Sequence, residues 1–218
     1  NYAYSWDSAA HGGGLYSDQS ALSRNTVMTN TAYARYAAYG GGIYSIGQYT
    51  LSNSTVAGNA AYYTDPGSIQ AAMGGGIYSV SGGVIENSEV RSNVVSGTRS
   101  FAGGIYIDGG SVRNSAIMSN TAQGNVASLW WAAGSGELVY NTIVGNTTPG
   151  DTGGIYIQSG YPRFNYNAIH ACNGYALYNN STASDIHLNA RYNWWSVTDT
   201  TALQGLVYDW FDDTSVGW

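Results

Sequence analysis

The chain contains no lysine. Seven arginines carry all of its fixed positive charge against 13 acidic residues, and the net charge is -6. Nucleic acid is therefore not an expected partner, because phosphate binding needs a basic stripe. Charged residues of both signs make up only 9% of the sequence, well under the roughly 25% of an ordinary globular domain. Cys172 is the only cysteine, which excludes an intrachain disulfide and leaves a small buried hydrophobe as its plain reading. No apolar run approaches the roughly 18 residues that a membrane-crossing helix needs, so membrane insertion is not expected. The first residue is Asn, and no apolar leader precedes the first repeat. The chain is expected to be a processed subunit or an excised piece.

What is abundant is glycine, at 30 residues, and tyrosine, at 20, with seven tryptophans. Many aromatics and few charges oppose disorder. The glycines stand in a repeated phrase: GGGLYS at Gly12–Ser17, GGGIYS at Gly40–Ser45 and Gly74–Ser79, and GGIYI at Gly103–Ile107 and Gly153–Ile157. Its apolar residue recurs as Leu15, Ile43, Ile77, Ile105, Leu129, Ile155 and Leu177, at intervals of 22–34 residues. A second phrase interleaves: LSRNTVMTN from Leu22, LSNSTVAGN from Leu51, IENSEVRSN from Ile85, VRNSAIMSN from Val112 and LVYNTIVGN from Leu138. Each holds two apolar residues five apart and closes on Asn30, Asn59, Asn93, Asn120 or Asn146. FNYNAIHAC, from Phe164, keeps the spacing with Cys172 at the closing position.

Short runs of Val, Ile, Thr and Tyr punctuated by Gly and Asn are strand chemistry. The one helix-like run lies in Thr200–Phe211. Strands repeated in one orientation predict a parallel β-solenoid, in which each repeat is one coil and equivalent residues stack about 4.8 Å apart. The Asn column then sits at a bend, where Asn tolerates left-handed backbone and its amide bonds the next Asn. The predicted fold class is all-β, with about seven coils.

The GGGIYS and LSNSTVAGN phrases resemble the right-handed parallel β-helix proteins of cell surfaces, related in fold to pectate lyases. Asn193-Trp194-Trp195-Ser196, Asp199 to Leu203, and Val207 to Asp213 resemble the terminal coil of that family. Ser196 stands where the family has Gly, and Thr214 where it has Pro. The resemblance implies right-handedness and a division into coils over 1–192 and a capping segment over 193–218.

Alternation in a strand sends Tyr outward wherever Ile points in. Tyr16, Tyr44, Tyr78, Tyr106, Trp130, Tyr156 and Tyr178 are expected to form one outer column. It either stacks on itself or offers a contact face to glycans or protein. Long early connections, Thr31–Tyr39 and Ala60–Met73, carry Tyr33, Tyr36, Tyr39, Tyr62 and Tyr63 with Arg35, and are read as a second contact surface.

No catalytic constellation emerges. Paired carboxylates on a solenoid need matching positions in adjacent coils, and Asp65, Asp108, Asp151, Glu86 and Glu89 do not align. His11, His170 and His187 share no metal-ligand spacing. No cofactor and no metal are expected, and a polysaccharide lyase or hydrolase is the least favoured reading. N-x-S/T triplets occur at Asn53, Asn146, Asn179 and Asn180, with Asn179 and Asn180 read as the most accessible and Asn146 as held in the ladder.

Solenoid ends expose strand edges and need caps. Asn1–Asp7 holds the alternating aromatics Tyr2, Tyr4 and Trp6. This N-terminal strand, within residues 1–11, is expected to complete the C-terminal cap of the next subunit. The cap aromatics are Trp194, Trp195, Tyr208, Trp210, Phe211 and Trp218. The resulting expectation is an extracellular structural protein that polymerises head to tail with itself. A carbohydrate-binding or adhesive solenoid using the Tyr column is the alternative.

Overall fold

The computed structural model describes residues 1–65, 67, 70–181, 188–209 and 212. The chain forms a parallel β-solenoid of about seven coils. Each full coil passes through five sheets, numbered from the one that follows the GGG phrase. Sheet I is built from the Ile-Tyr phrases and holds eight strands, from Leu15–Asp18 to Val207–Tyr208. Sheets II and III, with six strands each, start at Ala21–Ser23 and Thr26–Met28. Sheet IV has five strands, starting at Tyr2–Ser5, and sheet V four, starting at Ala9–His11. Every ladder pairs a strand with its equivalent in the next coil, in parallel.

The register is the one the repeats predict. Ile77 lies opposite Ile43 and Ile105, Ile85 opposite Leu51 and Val112, and Val90 opposite Val56 and Ile117. These columns are fully buried and form the main core between sheets I, II and III. Each buried Ile or Val contributes about 1.5–3 kcal/mol in transfer free energy. A second core, made of Ala10, Ala32, Ala34, Ala38, Ala61 and Ala72 with Val95 and Tyr63, lies between sheets IV and V. Small side chains there let those two sheets come close.

Each glycine of the GGG phrase has a separate reason. Gly40 turns at φ +63°, a left-handed angle. A Cβ on Gly41 would stand 2.3 Å from the Ala60 and Gly75 carbonyl oxygens. One on Gly42 would stand 2.9 Å from the Asn59 side chain. The phrase is thus the point where backbones of neighbouring coils meet, with no room for any side chain.

Two polar ladders hold the bends. In the expected one, Asn93 Oδ1 accepts from the Asn59 backbone N–H at 2.9 Å and from Asn59 Nδ2 at 3.0 Å. Asn93 Nδ2 donates to the Val56 carbonyl and to Asn120 Oδ1, both at 3.0 Å. Asn59 and Asn120 repeat this linkage in full, Asn30 donates into it from the coil before, and Asn146 closes its Asn-to-Asn run. Cys172 ends the column, with its sulfur 3.8 Å from Asn146 Nδ2. The second ladder was not anticipated. It runs at the bend between sheets II and III through Asn25, Ser54, Ser88, Ser115, Asn141, Asn167 and Asn193, each backbone N–H donating to the side chain one coil on.

Two expectations need correction. Thr31–Tyr39 and Ala60–Met73 are not simple loops, because Thr31–Ala34, Ala37–Tyr39, Ala60–Tyr63 and Ala72–Met73 are strands of sheets IV and V. They read as loops because alanine in a strand gives little periodic signal. The later coils lack these strands, and Val126 and Thr152 make only isolated bridges. The helix is Thr200–Gln204, capped by Asp199, whose Oδ2 accepts from the Ala202 N–H at 2.9 Å. It does not extend over Val207-Tyr208, which forms an Ile-Tyr-like pair lying opposite Leu177-Tyr178 in sheet I. Asn193 and Trp195 continue inner columns of the coils: Trp195 follows Ile169 and packs edge-on at 5.9 Å against Phe164.

Asn93→Ala removes an acceptor from the Asn59 N–H and a donor from the Val56 carbonyl, both buried. The expected loss of stability is about 2–4 kcal/mol in urea denaturation. Gly41→Ala is expected to destabilise by roughly 3 kcal/mol or more, because the clash is with backbone. Wild-type stability in either variant would contradict the stacking described here.

Candidate functional site

The outer face of sheet I carries the predicted aromatic column, and the column is longer than expected. Tyr16, Tyr44, Tyr78, Tyr106, Trp130, Tyr156 and Tyr178 stack in series, with centroids 4.2–6.4 Å apart. Tyr208, assigned to the cap from sequence, is the eighth ring, 4.2 Å from Tyr178 at 12°. A flanking row leans on it: His11 against Tyr44 at 4.4 Å, Tyr39 against Tyr78 at 4.9 Å and Phe101 against Trp130 at 4.7 Å. Trp130 Nε1 donates to Gln158 Oε1 at 3.0 Å.

The geometry decides what this column offers. Rings stacked along the solenoid axis cover one another's faces, so interior members present edges and hydroxyls. A pyranose ring stacks on an open aromatic face, and the interior rings have none to give. Burial also pushes the phenols of Tyr44, Tyr78, Tyr106 and Tyr156 above their ordinary value of 10.0. His11 is pushed down from 6.5 by the same cause.

The first turn carries the other predicted aromatics. Tyr2–Ser5 is the terminal strand of sheet IV, in register with Thr31–Ala34. Tyr33 stacks on Tyr2 at 6.1 Å and on Tyr4 at 5.7 Å, and Trp6 lies 6.4 Å from Tyr4. Tyr2, Tyr4, Trp6, Tyr16 and Met28 are all exposed, so this end is rimmed with large apolar side chains. Arg35 covers the Tyr36 ring at 4.9 Å and pairs with Asp65 at 3.5 Å. Tyr63 is buried, its hydroxyl 2.6 Å from Thr98 Oγ1, and is not a contact residue.

At the far end Trp194 is exposed, edge-on to His170 at 5.2 Å, while Trp195 is buried. Trp210, Phe211 and Trp218 lie outside the described residues. Sequence reading missed one exposed group: Tyr140, Tyr166 and Tyr192, stacked at the corner of sheets II and III. The signal was present, since each follows the second-phrase apolar residue by two, where earlier coils have Asn or Arg.

The three glutamates face arginines. Glu86 pairs with Arg113 at 2.9 Å and Glu137 with Arg163 at 3.0 Å, each across one coil spacing of sheet II. Glu89 pairs with Arg91 at 2.9 Å within one strand of sheet III. Among the described residues, no group of three His, Cys, Asp or Glu gathers in metal-binding geometry, and no helix is long and apolar enough to cross a membrane. Of the sequons, Asn53 is exposed at a left-handed turn, with φ +50°. Asn146 is buried in its ladder. Asn179, expected to be accessible, is only 1% exposed, with its Oδ1 accepting from Ser181. Asn180 is half-buried.

No family model, curated protein or solved structure matches this chain.

Alkaline pH should test the packing of the sheet I column. Tyr44, Tyr78, Tyr106 and Tyr156 hold their protons more tightly folded than unfolded, so their contribution is complete below pH 10 and is lost as pH rises past it. Urea midpoints are expected to fall above pH 10, together with a late rise in phenolate absorbance. Phenolate absorbance that rises for all tyrosines at the ordinary pH would contradict the burial.

Proposed function

We propose that this chain is a non-enzymatic structural solenoid that builds an extracellular filament or surface layer by stacking end to end with copies of itself. One observation carries the reading. The first turn, from Tyr2–Ser5 to Thr26–Met28, presents five strand edges with no partner among the described residues. Its rim carries Tyr2, Tyr4, Trp6, Tyr16 and Met28, and among the described residues no other large apolar side chain is exposed before Tyr140. Unpaired edges beside an apolar rim are a template for strand addition. A heterologous contact of that kind propagates as a fibre.

Tyr2–Ser5 is seated on its own chain's Thr31–Ala34. The assembly we propose therefore adds the next subunit to the free edge of that strand, without exchanging it. The Asn193–Ser196 phrase and Val207-Tyr208 support grouping the chain with right-handed parallel β-helix surface proteins. Ser196 sits at φ +65°, a left-handed angle that suits the glycine of those proteins. Glycan binding on the sheet I column has less support, because its ring faces are covered. Polysaccharide cleavage has less support still, because Glu86, Glu89 and Glu137 face arginines rather than one another.

Negative-stain microscopy of the purified chain over a concentration series tests this. Filaments are expected for the wild type. Ala3→Lys, which turns a charge into the end of the lumen, is expected to keep the circular dichroism spectrum and yield single particles. Single particles for the wild type at every concentration, or filaments undiminished in the variant, would overturn the proposal.

A further inference from the structure

We propose that Tyr140, Tyr166 and Tyr192 form an oxidative cross-linking site, where a peroxide-derived one-electron oxidant joins neighbouring coils through dityrosine bonds. The site is independent of the end-to-end contact.

Two ring pairs stand within coupling reach, and rotation of these exposed side chains brings their ortho carbons edge to edge. Tyr140 and Tyr166 lie 5.0 Å apart at 8°, and Tyr166 and Tyr192 lie 5.1 Å apart at 6°. All three are open to solvent, with exposures of 57%, 45% and 71%. An oxidant can reach them, and water can take their protons. The interior sheet I rings differ: they are half-buried, and burial raises the phenols of Tyr44, Tyr78, Tyr106 and Tyr156.

The backbone makes these positions unusual. Tyr140, Tyr166 and Tyr192 have φ of +60°, +59° and +61°. Bulky residues seldom adopt that conformation, whereas Asn does so readily. The same column in earlier coils holds Asn53, Asn87 and Asn114 at φ +50°, +49° and +48°. Three coils in succession thus place a ring where Asn fits the backbone better. Outliers of this kind gather where a side chain has a task.

Chemistry and position agree. A chain without lysine cannot form a lysine isopeptide link, and one with a single cysteine cannot form an internal disulfide. Tyrosine is the abundant residue that can still join coil to coil. The site also lies where the solenoid is thinnest. Sheet V ends at Ser100–Phe101 and sheet IV at Thr121–Ala122, so the coils around Tyr140 to Tyr192 are held by fewer strands.

The step balances. Each of two phenols gives one electron to the oxidant and one proton to water. The two radicals join through a bond between ring carbons ortho to the oxygens. The hydrogens on those carbons then shift as protons to the oxygens and restore both phenols. One molecule of hydrogen peroxide accepts the two electrons and two protons lost per link and becomes two of water.

The test is to treat the full chain with a haem peroxidase and hydrogen peroxide, isolate the monomer band, and map it by tryptic mass spectrometry. Cleavage after Arg113, Arg163 and Arg191 puts the three tyrosines on three separate peptides. The expected result is dityrosine fluorescence in the monomer, with Tyr140 joined to Tyr166 and Tyr166 to Tyr192. Tyr166→Asn restores the residue suited to that turn and is expected to abolish both links while keeping the fold. The proposal is overturned if the monomer gains no dityrosine, if links appear only in covalent dimers, or if they persist in Tyr166→Asn and map to Tyr156–Tyr178 or Tyr178–Tyr208.

Discussion

The carboxamides of Asn59, Asn93 and Asn120 each satisfy four backbone or side-chain partners at once, and the rest of the structure depends on that arrangement. A solenoid bend brings backbone groups inside where water cannot reach them. An unpaired buried N–H costs about 1–3 kcal/mol. Asn59, Asn93 and Asn120 meet the need from both sides, accepting from the coil before and donating both to a carbonyl of that coil and to the Asn of the coil after. Only an identical side chain at the same height does this without a gap. Exact register in one column then fixes every other column, because a slip of one residue would turn Ile43 and Ile77 outward and Tyr44 and Tyr78 inward.

Repetition thereby turns single side chains into surfaces. Ile becomes a core, Tyr an eight-ring column, and Glu and Arg alternate as pairs across sheet II. The two sites we propose lie where a column ends or becomes exposed: the rim of the first turn, and the corner of sheets II and III where Tyr replaces Asn.

The repeats made the coils, the inner columns and the outer tyrosines legible in advance, since each is a fixed offset from an invariant phrase. Four features were harder to see. Sheets IV and V are walled by Ala32, Ala61 and Ala38, which leave no alternation to detect. The second bend ladder changes from Ser54, Ser88 and Ser115 to Asn141 and Asn167, so identity matching missed a column united only by small polar acceptors. Tyr208 was hidden by the cap phrase that contains it. Asn179 looked accessible because two Asn and a Ser read as a loop, whereas it closes a strand of sheet I.

Exchange of the ladder amides against deuterium tests this account most directly. If register rests on the carboxamides, the side-chain NH2 groups of Asn59, Asn93, Asn120 and Asn146 should exchange only with global unfolding, as slowly as the backbone of Ile77 and Val90. Rapid exchange of those amides in an otherwise protected core would contradict it.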